Sequence, residues 1–158
     1  MPDNLFMRDR VEREYAPLYE SAGLGTTIWS PLASGILTGK YSGGKIPEGS
    51  RLSLADYQWL KELKLKNMSQ IEKTDKLKPI ADKLGCTLAQ LAIAWCLKNP
   101  HVSTVILGAT SLKQLNENLD SLDVVPKLTP EVLEEIEAVV DTKPTPDRIA
   151  AQVLNIRK

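Results

Sequence analysis

Two short apolar runs limit this fold more than any other feature of its 158 residues. The first, Thr26-Thr27-Ile28-Trp29, is β-branched and aromatic and follows Gly25, as a buried strand at about residues 25 to 29 would. The second, Val102 to Leu107, has the same character and ends in Gly108-Ala109-Thr110. Helical sequence lies between them, and two buried strands joined through helices imply parallel α/β pairing. Such strands must be covered on both faces and closed or flanked by others, yet the chain supplies only two. The length suffices for one ordinary domain with a real core. The expectation is therefore an α/β architecture that is incomplete by itself.

The helical sequence carries its own punctuation. Asp9 followed by Glu12 predicts a helix start, with Val11, Tyr15, Leu18 and Tyr19 on one face and Gly23 as its close. Residues 42 to 53 have turn chemistry. A helical region runs from about Leu54 to Leu84, with a break expected near Pro79 and an end at Gly85. Thr87-Leu88-Ala89-Gln90 is a capping box opening a helix that buries Leu88, Leu91, Ala92, Trp95 and Cys96 and stops at Asn99-Pro100. Ser111 and Gln114 predict a second box, with a helix to about Leu122. Thr129-Pro130-Glu131 opens the last helix, whose buried stripe is Leu133, Ile136, Val139 and Val140. The tail after Pro144 is weakly determined and could add one helical turn.

Composition excludes several classes of function. Twenty basic residues balance twenty acidic ones, so no net field favours nucleic acid or an anionic membrane. No apolar run reaches the length of a membrane span, and MPDNLFMRDR has no apolar core of a secretory signal. Cys86 and Cys96 have no partner motif and read as reduced thiols of a cytoplasmic protein; with one histidine, His101, no metal site is expected. Trp59 and Trp95 read as packing residues, and His101 as an exposed turn residue.

The first strand stops at Ser30-Pro31, where proline removes a donor and bars the preceding residue from helix. Gly35, Gly39, Gly43, Gly44 and Gly49 follow, with Lys40 and Arg51 among them. A strand end opening into a glycine-rich loop with two cations suits a phosphate-bearing ligand. Taken alone, Lys40 and Arg51 would be solvated charges, and Gln114, Glu117 and Asn118 an ordinary polar helix face.

The wording is more specific than the composition. Trp29-Ser30-Pro31-Leu32-Ala33 with Gly35, then Gly39-Lys40-Tyr41, then Ser50-Arg51, resembles the aldo-keto reductases, in the branch of the voltage-gated potassium channel β-subunits. Val105 to Thr110 followed by Gln114, Leu115, Glu117 and Asn118 resembles that family's last strand and the helix after it. The resemblance covers nearly the whole chain but only the last part of the family's domain. It implies an α/β fold that is the C-terminal portion of a (β/α)8 TIM barrel, its last two strands with their helices, incomplete as a barrel. The whole of 1–158 would belong to an NADP-dependent oxidoreductase domain.

The resemblance also implies NADPH as cofactor. Trp29, Ser30, Pro31, Leu32, Ala33 and Ser34 would follow its pyrophosphate and ribose, and Lys40 and Arg51 would make cationic contacts, arginine suiting a bidentate phosphate contact. Gly108, Thr110, Gln114, Glu117 and Asn118 would line the adenosine 2′-phosphate end. Physical chemistry agrees in kind: in (β/α)8 barrels, ligands sit over the C-terminal strand ends, with phosphate sites after the last two strands. The family's Tyr, Lys and Asp catalytic set lies on earlier strands, so no catalytic residue carries over. Only Asp3-Asn4-Leu5-Phe6 hints at the Q-x-x-Y-N stretch of relatives, Ser34 stands where they often have Cys, and the loop between Tyr41 and Ser50 is a residue longer.

Three expectations follow for function. The chain is the cofactor-gripping part of an enzyme reducing small aldehydes or ketones by hydride transfer, or a redox-sensing protein docked to the cytoplasmic face of a potassium channel, or an inactive truncated fragment. A homo-oligomer fits the unpaired strand edges; nucleic acid and membrane insertion do not fit.

Overall fold

The computed structural model describes residues 1–66 and 68–145. It is a mixed α/β structure whose parallel pair is β1 (Thr26–Trp29) and β2 (Val102–Ile106). Thr27 aligns with Thr104, Ile28 with Val105 and Trp29 with Ile106, after an irregularity between Thr26 and Thr27. The other edge of β1 is also occupied. Met1–Asp3 run parallel to it: the Trp29 N–H donates to Met1 O (2.9 Å) and the Asp3 N–H to Trp29 O (3.1 Å). The sequence does not announce this short second ladder, since three residues have no periodicity to detect.

Before β1 the chain makes one π turn (Arg10–Glu14) and then α1 (Ala16–Ala22), so the first helix is not continuous. Asp9 is itself helical and caps nothing; its carboxylate pairs with Arg13 at 3.2 Å. The π turn shifts the face, so Val11 and Tyr19 are buried but Leu18 is exposed. Gly23 closes α1 in the left-handed conformation, as expected of a residue without Cβ.

Between the strands lie α2 (Gln58–Leu65), α3 (Met68–Leu84) and α4 (Leu88–Lys98). Pro79 does not break the helix; α3 runs through it, and the interruption falls between α2 and α3. Pro79 is exposed, so water can satisfy the carbonyl it leaves free, while Ile71, Thr74, Leu77, Ile80 and Ala81 anchor the opposite face. The capping box of α4 forms in full: the Gln90 N–H donates to Thr87 Oγ1 (3.2 Å) and the Thr87 N–H to Gln90 Oε1 (2.9 Å). After β2 come α5 (Leu112–Leu119) and α6 (Pro130–Val140), the latter capped by Thr129. The buried stripe of α6 is Val132, Ile136 and Val140, with Leu133 and Val139 at its margins.

The core sits on one side of the sheet. Leu37, Leu77, Leu91, Leu128 and Ile136 are its deepest members, and α4 is buried on nearly every side, from Leu88 to Ala94 and at Cys96. A smaller cluster of Val11, Ile28, Cys96 and Val102 joins α4 to the strands. The strands themselves are not buried on both faces. Thr27, Trp29, Thr104 and Ile106 share the opposite face and are exposed, Trp29 and Ile106 each at 51%. Leu112, Leu115, Leu119 and Leu122 form a second uncovered apolar stripe on α5 and the turn after it. Trp59, expected to pack, is exposed as well. No single helix among the described residues is long and apolar enough to cross a membrane.

Candidate functional site

Parallel pairing puts Trp29 and Ile106 at the same end of the sheet, so the segments after both strands leave from one edge. The first opens under strain. Ser30 (φ +63°), Ala33 (φ +49°) and Ser34 (φ +64°) are left-handed without being glycine, ahead of Gly35 at φ +95°. Each such residue costs about 1 kcal/mol, and such conformations persist where surrounding structure dictates them, often at ligand sites. Here short turns hold them: the Ala33 N–H donates to Ser30 O (3.1 Å) and the Gly35 N–H to Leu32 O (2.8 Å). Pro31 and Ala33 are buried, whereas Ser30, Leu32 and Ser34 are half-buried and Trp29 is exposed.

Gly39 then passes so close to α4 that a Cβ there would stand 2.7 Å from Leu88 Cδ1. The same first turn of α4 also holds α5, through Gln90 Nε2 donating to Glu117 O (3.1 Å). Both candidate ligand segments therefore flank the capped N-terminus of α4.

Lys40 and Arg51 are organised by a buried tyrosine. Lys40 Nζ lies 5.7 Å from the Tyr41 ring centroid, and the Leu52 N–H, next to Arg51, donates to the Tyr41 hydroxyl at 3.4 Å. Arg51 lies over Tyr57. Both cations are exposed, and neither pairs with a carboxylate among the described residues. Beside Arg51, the Ser50 hydroxyl is buried and has no hydrogen-bond partner there. A buried polar atom without a partner is costly.

The second segment is exposed at Gly108 and Thr110. Ser111 caps α5, but its box is only half made: the Gln114 N–H donates to Ser111 Oγ (3.2 Å), whereas Gln114 Oε1 accepts from the Thr110 N–H and hydroxyl, both at 2.9 Å. Gln114 thus orders Thr110 instead of capping its own helix. Glu117 is half-buried and Asn118 buried. The first-turn amides of α5 lack acceptors within the helix, which favours an anion at this end.

The strand-end surface is open, and a well-defined cavity lies elsewhere. That cavity, about 570 Å³, is bounded by Arg8, Tyr19, Trp95, His101 and Glu137 and contains none of the strand-end residues. Its central charges, Arg8, Glu12 and Glu137, are spent on each other. Arg8 pairs with Glu12 at 2.8 Å and with Glu137, and its guanidinium lies 4.9 Å from the Trp95 centroid. His101 stacks on Tyr19 at 4.0 Å. Among the described residues no cluster of His, Cys, Asp or Glu could hold a metal ion. The strained, phosphate-compatible strand ends are the better candidate on chemical grounds.

Four contributors are not apparent in the sequence. Tyr41 and Ser50 stand inside the quoted motifs, but only their burial gives them roles. Asp3 and Asn4 reach the site from the N-terminal segment. Asn4 Nδ2 donates to Ser30 O (3.0 Å), and Asp3 is almost fully buried with its Oδ1 unpartnered. Burial lifts the Asp3 carboxyl to about 7; Glu12 adds to the rise, while Arg8 and the Met1 ammonium oppose it.

A parallel β/α unit with a strained, cation-bearing loop at its strand ends is the class that this geometry defines. The aldo/keto reductase family model matches residues 3–141, and the chain belongs to that family. It is 57% identical over 141 residues to a probable voltage-gated potassium channel subunit beta from Oryza sativa subsp. japonica, and 55% identical to one from Arabidopsis thaliana. Each match covers 89% of this chain and 43% of the relative, so the chain spans less than half the length of these curated relatives.

Proposed function

We propose that the chain is the C-terminal, cofactor-gripping portion of an NADPH-dependent aldo-keto reductase domain, its two strands being the last two of a (β/α)8 barrel. The observation that carries this reading is the strained loop leaving one end of a parallel pair, which continues to two cations and a Ser50 hydroxyl that have no partner among the described residues. When bound, NADPH would supply the hydride that reduces an aldehyde or ketone. This chain's own residues would bind and orient. Trp29 to Ser34 would follow the pyrophosphate and ribose. Gly108, Thr110, Gln114, Glu117 and Asn118 would line the adenosine end, with Lys40 and Arg51 as its cations.

The uncovered face of Trp29 and Ile106 supports the barrel reading, because parallel strands are stable when covered on both sides. No residue here is assigned to proton transfer, so catalysis would need the units that the longer relatives have. The cytoplasm is the compartment in which such a protein would work. The names of the two plant relatives favour a second reading, association with the cytoplasmic face of a potassium channel.

Arg51→Gln tests the assignment. NADPH should bind about tenfold more weakly, as expected for loss of a hydrogen bond to a charged group, while NADH should be unaffected. Equal effects on both nucleotides would remove Arg51 from the 2′-phosphate. Co-purification with the cytoplasmic domain of a plant potassium channel tests the second reading; a chain that ignores that domain would contradict it.

A further inference from the structure

Asn4 spends every polar group it has, and only one of them leaves its own turn. Its N–H donates to Met7 O (3.2 Å), its carbonyl accepts from the Met7 N–H (2.9 Å), and its Oδ1 accepts from the Phe6 N–H (3.0 Å). These bonds fix the side chain, which is almost fully buried. The remaining group, Nδ2, donates across 26 residues of sequence to Ser30 O. Ser30 is the first left-handed residue after β1, and its carbonyl also closes the turn with the Ala33 N–H. The segment bearing Asn4 is itself anchored twice, by the Met1–Asp3 ladder on β1 and by Thr142 Oγ1 donating to Leu5 O (2.6 Å).

We propose that Asn4 is a positioning residue for the strand-end loop: its rigid amide holds the Ser30 carbonyl so that residues 30–35 keep their left-handed turn before any ligand arrives. The inference rests on the proposed nucleotide site for its purpose, though not for its geometry. A loop ordered in advance binds more tightly because less freedom is lost on binding. The N-terminal segment thereby contributes to a site from which it is remote in sequence.

Asn4→Asp is the informative variant. It keeps the oxygen that accepts from the Phe6 N–H and removes the donor to Ser30 O. Hydrogen exchange read by mass spectrometry should show peptides covering residues 30–38 exchanging about tenfold faster, as expected for one lost hydrogen bond, with α4 unchanged as internal reference. NADPH should bind more weakly by a similar factor. Unchanged exchange in the loop would overturn the proposal. So would an equal rise in α4, since Asn4 would then serve the fold as a whole. Faster loop exchange in a chain whose wild type binds no NADPH would uphold Asn4 as a positioning residue and refute the nucleotide site instead.

Discussion

The two faces of the β1–β2 pair are built to different standards. On one face Ile28 and Val102 meet Cys96 of α4, behind which the Leu77, Leu91 and Ile136 core closes completely. On the other, Trp29 and Ile106 stand half exposed at the edge from which the candidate ligand loops depart. The closed face gains stability from ordinary burial. The loop that leaves β1 carries strain, and its continuation carries two cations without a carboxylate and a hydroxyl without a partner among the described residues, features that lower stability unless a ligand or further structure meets them. Stability is concentrated on one side of the two-stranded sheet, and the candidate loop is rooted in that side through Ala33, Leu37, Tyr41 and Leu52.

The contrast is sharpest for apolar truncation. Leu91→Ala should destabilise the chain by about 2–5 kcal/mol, as for a fully buried leucine that leaves a cavity, read from the urea midpoint. A loss below 1 kcal/mol would mean that the closed side is not packed as described. Asp3 comes next, and its effect depends on pH. The folded chain holds this proton up to about 7, whereas the ordinary carboxyl value is 3.8. Between those values the folded state binds more protons than the unfolded state, so stability falls as pH rises through the window and levels off above it. Asp3→Asn should flatten this dependence and stabilise the chain by roughly 3 kcal/mol at pH 8, with little difference below pH 4. Parallel stability profiles of the two proteins would contradict the assignment.

Gly39→Ala probes the seam between the two sides. The added methyl must push Leu88 aside from 2.7 Å and adopt φ +77°, so a loss of about 1–3 kcal/mol is expected. Loss of ligand binding should accompany it, because α4 and the loop share this contact. Ile106→Thr, on the open face, should change stability by less than about 0.5 kcal/mol. A large loss there would show that the open face is covered in solution, for example by a second copy of the chain.

Much of this division is legible in the sequence, and the reasons differ by element. The Thr87–Gln90 box and the Thr129-Pro130 start are local devices, and both form as their residues predict. Parallel pairing follows from helical sequence lying between two strand-like runs. Burial of both strand faces does not form, because an apolar run records what a strand prefers and not whether a neighbour covers it. Pro79 misleads for a related reason: its exposed position makes a normally disruptive residue tolerable within α3. Gln114 turns to Thr110 and not to its own cap, a choice between two nearby donors that spacing cannot resolve. At the site, motif wording singles out Trp29 to Ser34, Lys40 and Arg51 and includes Tyr41 and Ser50, but it shows neither the long-range contact from Asn4 nor the burial that makes Tyr41 and Ser50 posts. Those depend on which distant segments meet, and composition does not record that.

The most direct test of the proposed site is a titration of the intact chain with NADPH, following tryptophan fluorescence, with NADH as the control. Trp29 stands exposed at the head of the strained loop, so a bound nucleotide should quench it. The account predicts saturable quenching with a preference for NADPH. A folded sample showing no saturable quenching with either nucleotide would contradict the claim that these strand ends form a cofactor grip within this chain.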